Sequence, residues 1–368
     1  MQDRKRQENP TVAPAMKPEA DPAPPAGRRP TMTDVANAAG VSQTTVSLVL
    51  NDIREARLSA TTRQRVREAA AALGYTLARE PAPGPGAEDR AGASTIAFLA
   101  DEIATDPWCA MQLEAVQETA WQHRLTVTAA VSHGDPELER ALVRDLLSEP
   151  VVGLVYATIL TRPVRPLPEF RTLRTVLLNC SVPDHSIPAV VPGEILGGYV
   201  ATRHLIGAGH RRIAHIHGQS WTDPARDRIR GYRRALAEHD ILYDPALVLP
   251  GNWEPTSGYD GTMALLDLPQ PPTAIFAASD MIAVGVYDAL RERGLRIPED
   301  VSVVGYDDRE IARFMRPALT TVVLPHTAMG RQAVEAIVDG QTLPGPRQPQ
   351  IKVECPLVER RSVAPPRR

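Results

Sequence analysis

The chain has 368 residues, 43% of them hydrophobic but only 4% aromatic, with 35 prolines and a formal net charge of −3. That length accommodates two or three folding units around a sizeable core, while the longest apolar runs, such as 151–155, fall far short of the roughly 20 residues of a membrane span. The three cysteines (Cys109, Cys180 and Cys355) are odd in number and lack C-x-x-C spacing, which argues against a disulfide framework or a cysteine zinc site and fits a reducing cytoplasm.

The first 29 residues carry charges and prolines without an apolar stretch, so they read as a disordered tail and not as a secretory signal. Charge is unevenly placed beyond them. Residues 28–79 hold eight arginines against Asp34, Asp52, Glu55 and Glu68, a small basic head on an acidic body, the footprint of a module that meets a polyanion.

Residues 30–76 read as three short helices. Thr31 followed by Asp34 is a capping pair, Val35, Ala36 and Ala39 form one apolar face, and Gly40 ends the first helix. Ser42 caps a second helix with Val46, Val49 and Leu50 inward, and Ser59 starts a third with Val66, Ala70 and Leu73 inward and Gly74 as its C-cap. A short turn containing Gly between the first two is helix-turn-helix geometry. The second helix displays Gln43, Thr44, Thr45 and Ser47, short polar side chains that reach phosphates and, from its first turn, base edges in a major groove. A generic three-helix bundle remains the alternative on spacing alone.

Residues 77–94 form a Pro/Gly-rich linker, with Pro81, Pro83, Pro85, Gly84 and Gly86. Prolines at that density oppose a helix, and the segment reads as a flexible tether. From Thr95 onward, strands and helices alternate. Strands are expected at 95–101, 125–131, 151–156 and 175–178, with helices at 111–124 and 136–147. After Val190 the pattern restarts, with helices at 197–206, 228–238, 257–266 and 281–292 and strands at 213–216, 247–250, 274–277 and 301–306. Such alternation implies an α/β fold of doubly wound parallel sheets with helices on both faces, and two successive runs imply two lobes with a ligand cleft beyond the strand ends.

Residues 31–52, TMTDVANAAGVSQTTVSLVLND, and 58–75, LSATTRQRVREAAAALGY, resemble the DNA-binding head of the LacI/GalR family of bacterial regulators. The segments HLIGAGHRRIAHIHG, RIRGYRRAL, FAASDMIAVGVYDAL, IPEDVSVVGYDD and PALTTVV extend the resemblance to that family's effector domain, whose fold is shared with periplasmic sugar-binding proteins. The resemblance implies phosphate contacts from Thr31, Ser42, Thr45, Ser47, Asn51, Ser59 and Thr62, and base reading by Gln43, Thr44 and Leu48. Leu48 departs from the family's usual Arg. An aliphatic side chain cannot pair with guanine in bidentate fashion, which implies an operator other than the commonest family sequence. In the linker, Gly84 stands near the place of the leucine that family hinge helices wedge between base pairs.

The resemblance divides the body into an N-lobe of 95–194 plus about 326–341, and a C-lobe of 195–325 plus about 342–364. It also places effector contacts at Arg228, three residues before Gly231, at Asp307 in the GYDD turn, and at Ser279 and Asp280 after a strand. Trp108 and Trp253 fall where relatives set aromatics against the ligand, and Asn179 is expected to end the last strand before the crossover. Arg and Asp offer opposed donors and acceptors and Trp an apolar face, a chemistry suited to a sugar-like effector. Leu324 replaces a common family Gln, which implies a less hydroxylated ligand or a shifted pose.

His204, His210, His215 and His217 cluster without an interleaved acid or cysteine, so they read as structural and no metal is expected. No GxSxG, HExxH, P-loop or GxGxxG motif is present, so neither a catalytic residue nor a cofactor is expected. The reading is a cytoplasmic, dimeric DNA-binding repressor without a membrane segment, its partners double-stranded operator DNA and a small effector.

Overall fold

In the computed structural model the described residues are 32–41, 43–50, 59–75, 94–340 and 347–367. The expected tail at 1–29 and nearly all of the linker at 77–94 lie outside them, as do Thr31, Ser42 and Asn51. The chain divides into two units at Arg79.

The head consists of α1 (Met32–Ala39), α2 (Gln43–Leu50) and α3 (Ala60–Ala72). Val35, Val46, Val49 and Val66 are at most 1% exposed and form its core with Ala36, Ala39 and Ala70. The turn after α1 is a Schellman cap: Gly40 has φ +60°, its N–H reaches the Asn37 carbonyl, and Val41 N–H reaches that of Ala36. A side chain at this left-handed position is strained, which is why glycine stands there.

In the larger unit the chain runs β1 (Thr95–Ala100), α4 (Trp108–Gln122), β2 (Thr126–Val131), α5 (Pro136–Leu146), β3 (Gly153–Pro163), β4 (Thr175–Ser181) and β5 (Ala189–Pro192). It crosses into α6 (Glu194–Gly207), β6 (Ile213–Ile216), α7 (Asp223–Glu238), β7 (Val248–Leu249), α8 (Pro255–Leu266), β8 (Ala274–Ala277), α9 (Asp280–Glu292), β9 (Ser302–Asp307), α10 (Glu310–Phe314) and β10 (Thr320–Val323). It then returns through α11 (His326–Val338), β11 (Gln350–Val353) and β12 (Leu357–Val358).

Two sheets result, β11-β5-β4-β3-β1-β2 and β12-β10-β9-β8-β6-β7, parallel throughout except for the β10–β12 pair. Side-chain alternation explains the double winding. In β1, Ile96, Phe98 and Ala100 pack under α4 and α11, whereas Ala97 and Leu99 face the opposite layer with Val143 of α5. In β8, Ile275 and Ala277 pack with α9 residues, whereas Ala274 and Phe276 join Leu205 of α6 and Tyr232 of α7. A strand covered on both faces must be apolar throughout, and each fully buried Phe or Leu contributes about 1.5–3 kcal/mol.

Two expectations need correction. Segment 342–364 does not belong wholly to the C-lobe, because β11 pairs in parallel with β5 of the first sheet, from Gln350 opposite Ala189 to Val353 opposite Pro192. The free edge of β5 takes up this strand before the chain recrosses to β12. Asn179 does not end the last strand before the crossover: it sits inside β4, and the short apolar run 189–192 forms a further strand.

The histidines are packing residues. His215 is fully buried, hydrogen-bonds the Phe276 carbonyl at 2.9 Å and stacks on Phe276 at 4.4 Å between centroids, and burial pushes its pKa down to about 3. His210 bonds Thr273 and the Ala364 carbonyl.

Candidate functional site

In the head, Gln43, Thr44, Thr45, Ser47 and Leu48 all lie on α2, whose inward residues Val46 and Val49 anchor it against α1 and α3. Ser59 is the N-cap of α3: its Oγ accepts from Thr62 N–H at 3.0 Å and lies 2.8 Å from the hydroxyls of Thr61 and Thr62. That cap fixes the start of the helix that buttresses α2. Ser59→Ala is expected to cost the head about 1 kcal/mol, read as an earlier head transition in urea melts of the full chain, whereas Ser59→Asp retains the cap.

In the body, a cavity of about 260 Å³ lies between the two lobes, at the carboxyl ends of both sheets as expected for parallel α/β structures. Six of the seven expected effector residues line it: Trp108, Asn179, Arg228, Trp253, Ser279 and Asp307. Asp280 does not. It is fully buried behind the wall, where its carboxylate accepts from Thr321 Oγ1 at 2.6 Å and from the backbone N–H of Arg309 at 2.7 Å. Opening α9 directly after β8 turns the Asp280 carboxylate inward, so it holds the 307–309 loop from beneath.

Arg228 is the centre of the site. It is 2% exposed, yet it projects from α7 into a set of fixed partners. Nε and Nη2 donate to the two Glu194 oxygens at 2.7 and 2.9 Å, and Nη1 donates to the Ala278 carbonyl. Its guanidinium lies 3.6 Å from the Tyr306 ring centre, 5.4 Å from that of Trp253, and 3.6 Å from Asp307 Oδ1. Burial opposes this charge, but Glu194 more than offsets it, and the pKa is raised above that of free arginine. Three of its five N–H donors are committed, so two remain for a ligand.

Three residues missed from the sequence complete the polar set. Glu194 opens α6 and pairs with Arg228. Arg309, just past β9, donates to Asp106 of the N-lobe, stacks over Trp108 at 4.7 Å, and has a buried Nε with no hydrogen-bond partner among the described residues. Asp106 precedes α4 and joins the two lobes through that pair. Glu194 went unseen because the expected helix began at Gly197, leaving its true first turn as loop. The GYDD motif extended by one position would have suggested Arg309.

The aromatic residues are held rigidly. Trp108 has the Arg309 guanidinium over its ring and the His326 ring stacked on it at 4.9 Å between centroids. The Trp253 indole covers Gly218 so closely that a Cβ there would fall 2.1 Å from a ring carbon, so the close approach requires glycine. The buried Trp253 Nε1 has no partner among the described residues. Asn179 and Ser279 are largely spent on structure. Asn179, at φ +60°, donates to the Thr158 and Ile159 carbonyls and accepts from Thr161, and Ser279 caps α9. Leu324, Ile159, Leu160 and Pro224 add apolar surface to the lining of the cavity.

Residues 31–77 match the description "Bacterial regulatory proteins, lacI family", and residues 202–363 match "Periplasmic binding protein-like domain". The ribose operon repressor of Haemophilus influenzae is 32% identical over 337 residues, 90% of this chain and 98% of that protein. The transcriptional repressor PurR of Pectobacterium carotovorum is 34% identical over 341 residues, 91% of this chain and 97% of that protein. Among solved structures, the regulator CelR in complex with cellobiose aligns with a TM-score of 0.61 at 30% identity, covering 91% of this chain and 100% of that one. The lac repressor dimer bound to operator and the anti-inducer ONPF aligns with a TM-score of 0.61 at 28% identity, covering 92% and 100%. A helix-turn-helix head and a two-lobed body with a charged, tryptophan-walled cavity, matched over nine-tenths of the chain, make this protein a member of the LacI family of bacterial regulatory proteins.

Proposed function

We propose that the protein is a dimeric repressor of the bacterial cytoplasm that reads an inverted-repeat operator and responds to one small, ring-shaped, sugar-like effector held between its lobes. The observation that carries the effector half is the interlobe cavity, where Arg228 and Arg309 face Asp307 and Glu194 beside two indole rings. Opposed donors and acceptors suit hydroxyls, indole faces suit a ring, and about 260 Å³ lies just below the usual range for ligand pockets, which favours a single ring. The apolar residues in the lining, Leu324 among them, favour a ligand less hydroxylated than a simple sugar. In this reading the protein is no enzyme and needs no cofactor. The acid pair of the GYDD turn divides its work: Asp307 faces Arg228, and Asp308 pairs with Arg360.

A footprint on the gene's own upstream region tests the DNA-binding half, with salt-sensitive protection of an inverted repeat as the expected result. Protection of no such repeat would sink it. A thermal-shift screen of sugars and nucleosides against the full chain tests the effector half.

Asp307 adds a pH signature. Burial pushes its carboxyl up to about 7, against the pull of Arg228 and Arg309. Because this pKa lies above the unfolded value, the acid's contribution to stability is full below about pH 4 and is lost as pH rises through 7. A ligand hydroxyl that donates to the carboxylate favours the ionised form, so effector affinity should rise from about pH 6 to about pH 8 with proton release on binding. Calorimetry in two buffers of different ionisation enthalpy checks this. Asp307→Asn should flatten the profile, and a wild-type affinity that falls with pH would contradict it.

A further inference from the structure

A second cavity, of about 330 Å³, opens in the N-lobe on the α5 side of the first sheet. It lies at the carboxyl ends of β1, β2 and β3, where β1 is flanked by β2 and β3 and the α4 and α5 connections cover opposite faces. Crevices form at such switch points in parallel sheets, and ligands collect in them. Arg140, Arg162 and Arg165 line it together with Asp101, Glu139 and Tyr156, above an apolar floor that includes Val164 and Leu167.

The acids here are already engaged. Asp101, 7% exposed, accepts from Ile159 N–H and from Arg162 Nη2, each at 2.9 Å, and Glu139 accepts from the Tyr156 hydroxyl at 3.0 Å. Arg140 and Arg165 have no ion-pair partner among the described residues. Three arginines against two carboxylates leave the lining with an excess of positive charge, and the guanidiniums of Arg140 and Arg165 are uncommitted. A phosphate monoester is an anion whose oxygens match the planar fork of arginine.

We propose that this cavity is a second ligand site, for a small phosphate-bearing metabolite, and that Asp101 couples it to the interlobe cavity. Successive residues of β3 serve the two sites: Ile159, Leu160 and Thr161 wall the interlobe cavity, and Arg162 reaches into the second. One carboxylate holds both, through Ile159 N–H on one oxygen and Arg162 on the other. A phosphate that draws Arg162 from Asp101 loosens the strand that walls the effector cavity. By linkage, each ligand then changes the other's affinity by the same factor.

The test is calorimetric titration of glycerol 3-phosphate into the full chain, followed by hydrogen exchange of the peptide spanning Ile159. Binding is expected in the wild type, weakened about tenfold or more in Arg140→Ala/Arg165→Ala and retained in Asp307→Asn, which alters only the interlobe cavity. Exchange at Ile159 is expected to quicken with the probe bound in the wild type. Absence of binding at millimolar probe, unchanged binding in the double arginine variant, or equal heat from sulfate at matched ionic strength would overturn the site. Loss in Asp307→Asn alone would instead place the probe in the interlobe cavity, and unaltered exchange at Ile159 would overturn the coupling. The binding arm stands independently of the proposed effector response, so failure of one is distinguishable from failure of the other.

Discussion

Arg228→Ala is expected to destabilise the body by about 3–5 kcal/mol and to abolish any response to the effector. The stability loss comes less from the missing pair than from what remains. The Glu194 side chain, 3% exposed, would be left buried with neither solvent nor a guanidinium to satisfy it, and the Ala278 carbonyl would lose its donor. A second variant separates stability from function. Arg228→Met/Glu194→Met removes both charges and fills similar volume, so most of the lost stability should return, while effector binding stays absent because the two free donors are gone. Urea unfolding of the full chain reads the first quantity, and effector-dependent change in operator affinity reads the second. Arg228→Ala with unchanged effector response would remove Arg228 from the ligand's contacts and reduce its role to holding Glu194.

The way the lobes meet gives that arginine wider consequence. Three chain crossings join the lobes, after β5, β10 and β11. The Arg309–Asp106 pair adds a side-chain link at the cavity itself. Arg309 is thus both a cavity wall and a tie across the cleft. A ligand that takes hydrogen bonds from Arg309 competes directly with the tie, and one that bridges Arg309 and Asp106 reinforces it. The two cases differ in which lobe arrangement they favour, and an effector acts only through such a difference.

How much of this was legible in the sequence depends on the range of the interaction. Arg228, Trp253 and Asp307 could be picked out because the family resemblance carries them: Arg228 and Asp307 sit at fixed offsets within its motifs, and Trp253 falls where relatives set an aromatic. The head core was legible for the same reason, since Val46, Val49 and Val66 follow helical period within short segments. Glu194 and Asp106 were not, because their partners lie 34 and 203 residues away and nothing local marks an acid as the mate of a distant arginine. Asp280 illustrates a different failure. Its position after the strand was right, but whether a residue in a helix's first turn points to the cleft or beneath it depends on packing against Thr321 and the 309 backbone. The strand 350–353 was misassigned because a parallel edge strand is selected by the sheet it finds, here the free side of β5, and not by its own four residues.

Val66→Asp is expected to abolish operator binding while leaving the body intact. Val66 is fully buried on α3, a helix that carries none of the base-reading residues, and its neighbours in the core are Val35, Val46, Val49 and Ala70. A carboxylate there has no cation to meet within that cluster, and burying an unpaired charge costs several kcal/mol. A three-helix head of this size has a small core and only a few kcal/mol of stability to lose, so the substitution unfolds it. Operator affinity should then fall by at least about 10³-fold, down to non-specific levels. The body is a separate unit beginning beyond Arg79, so its urea transition and its effector-induced thermal shift should be those of the wild type. Ala71→Ser, at an exposed position of the same helix, is the matched control and should leave affinity within about twofold. If Val66→Asp weakened effector binding as well, the two units would not fold independently. If it left operator binding intact, the apolar faces of these three helices would not be what holds α2 in its reading position.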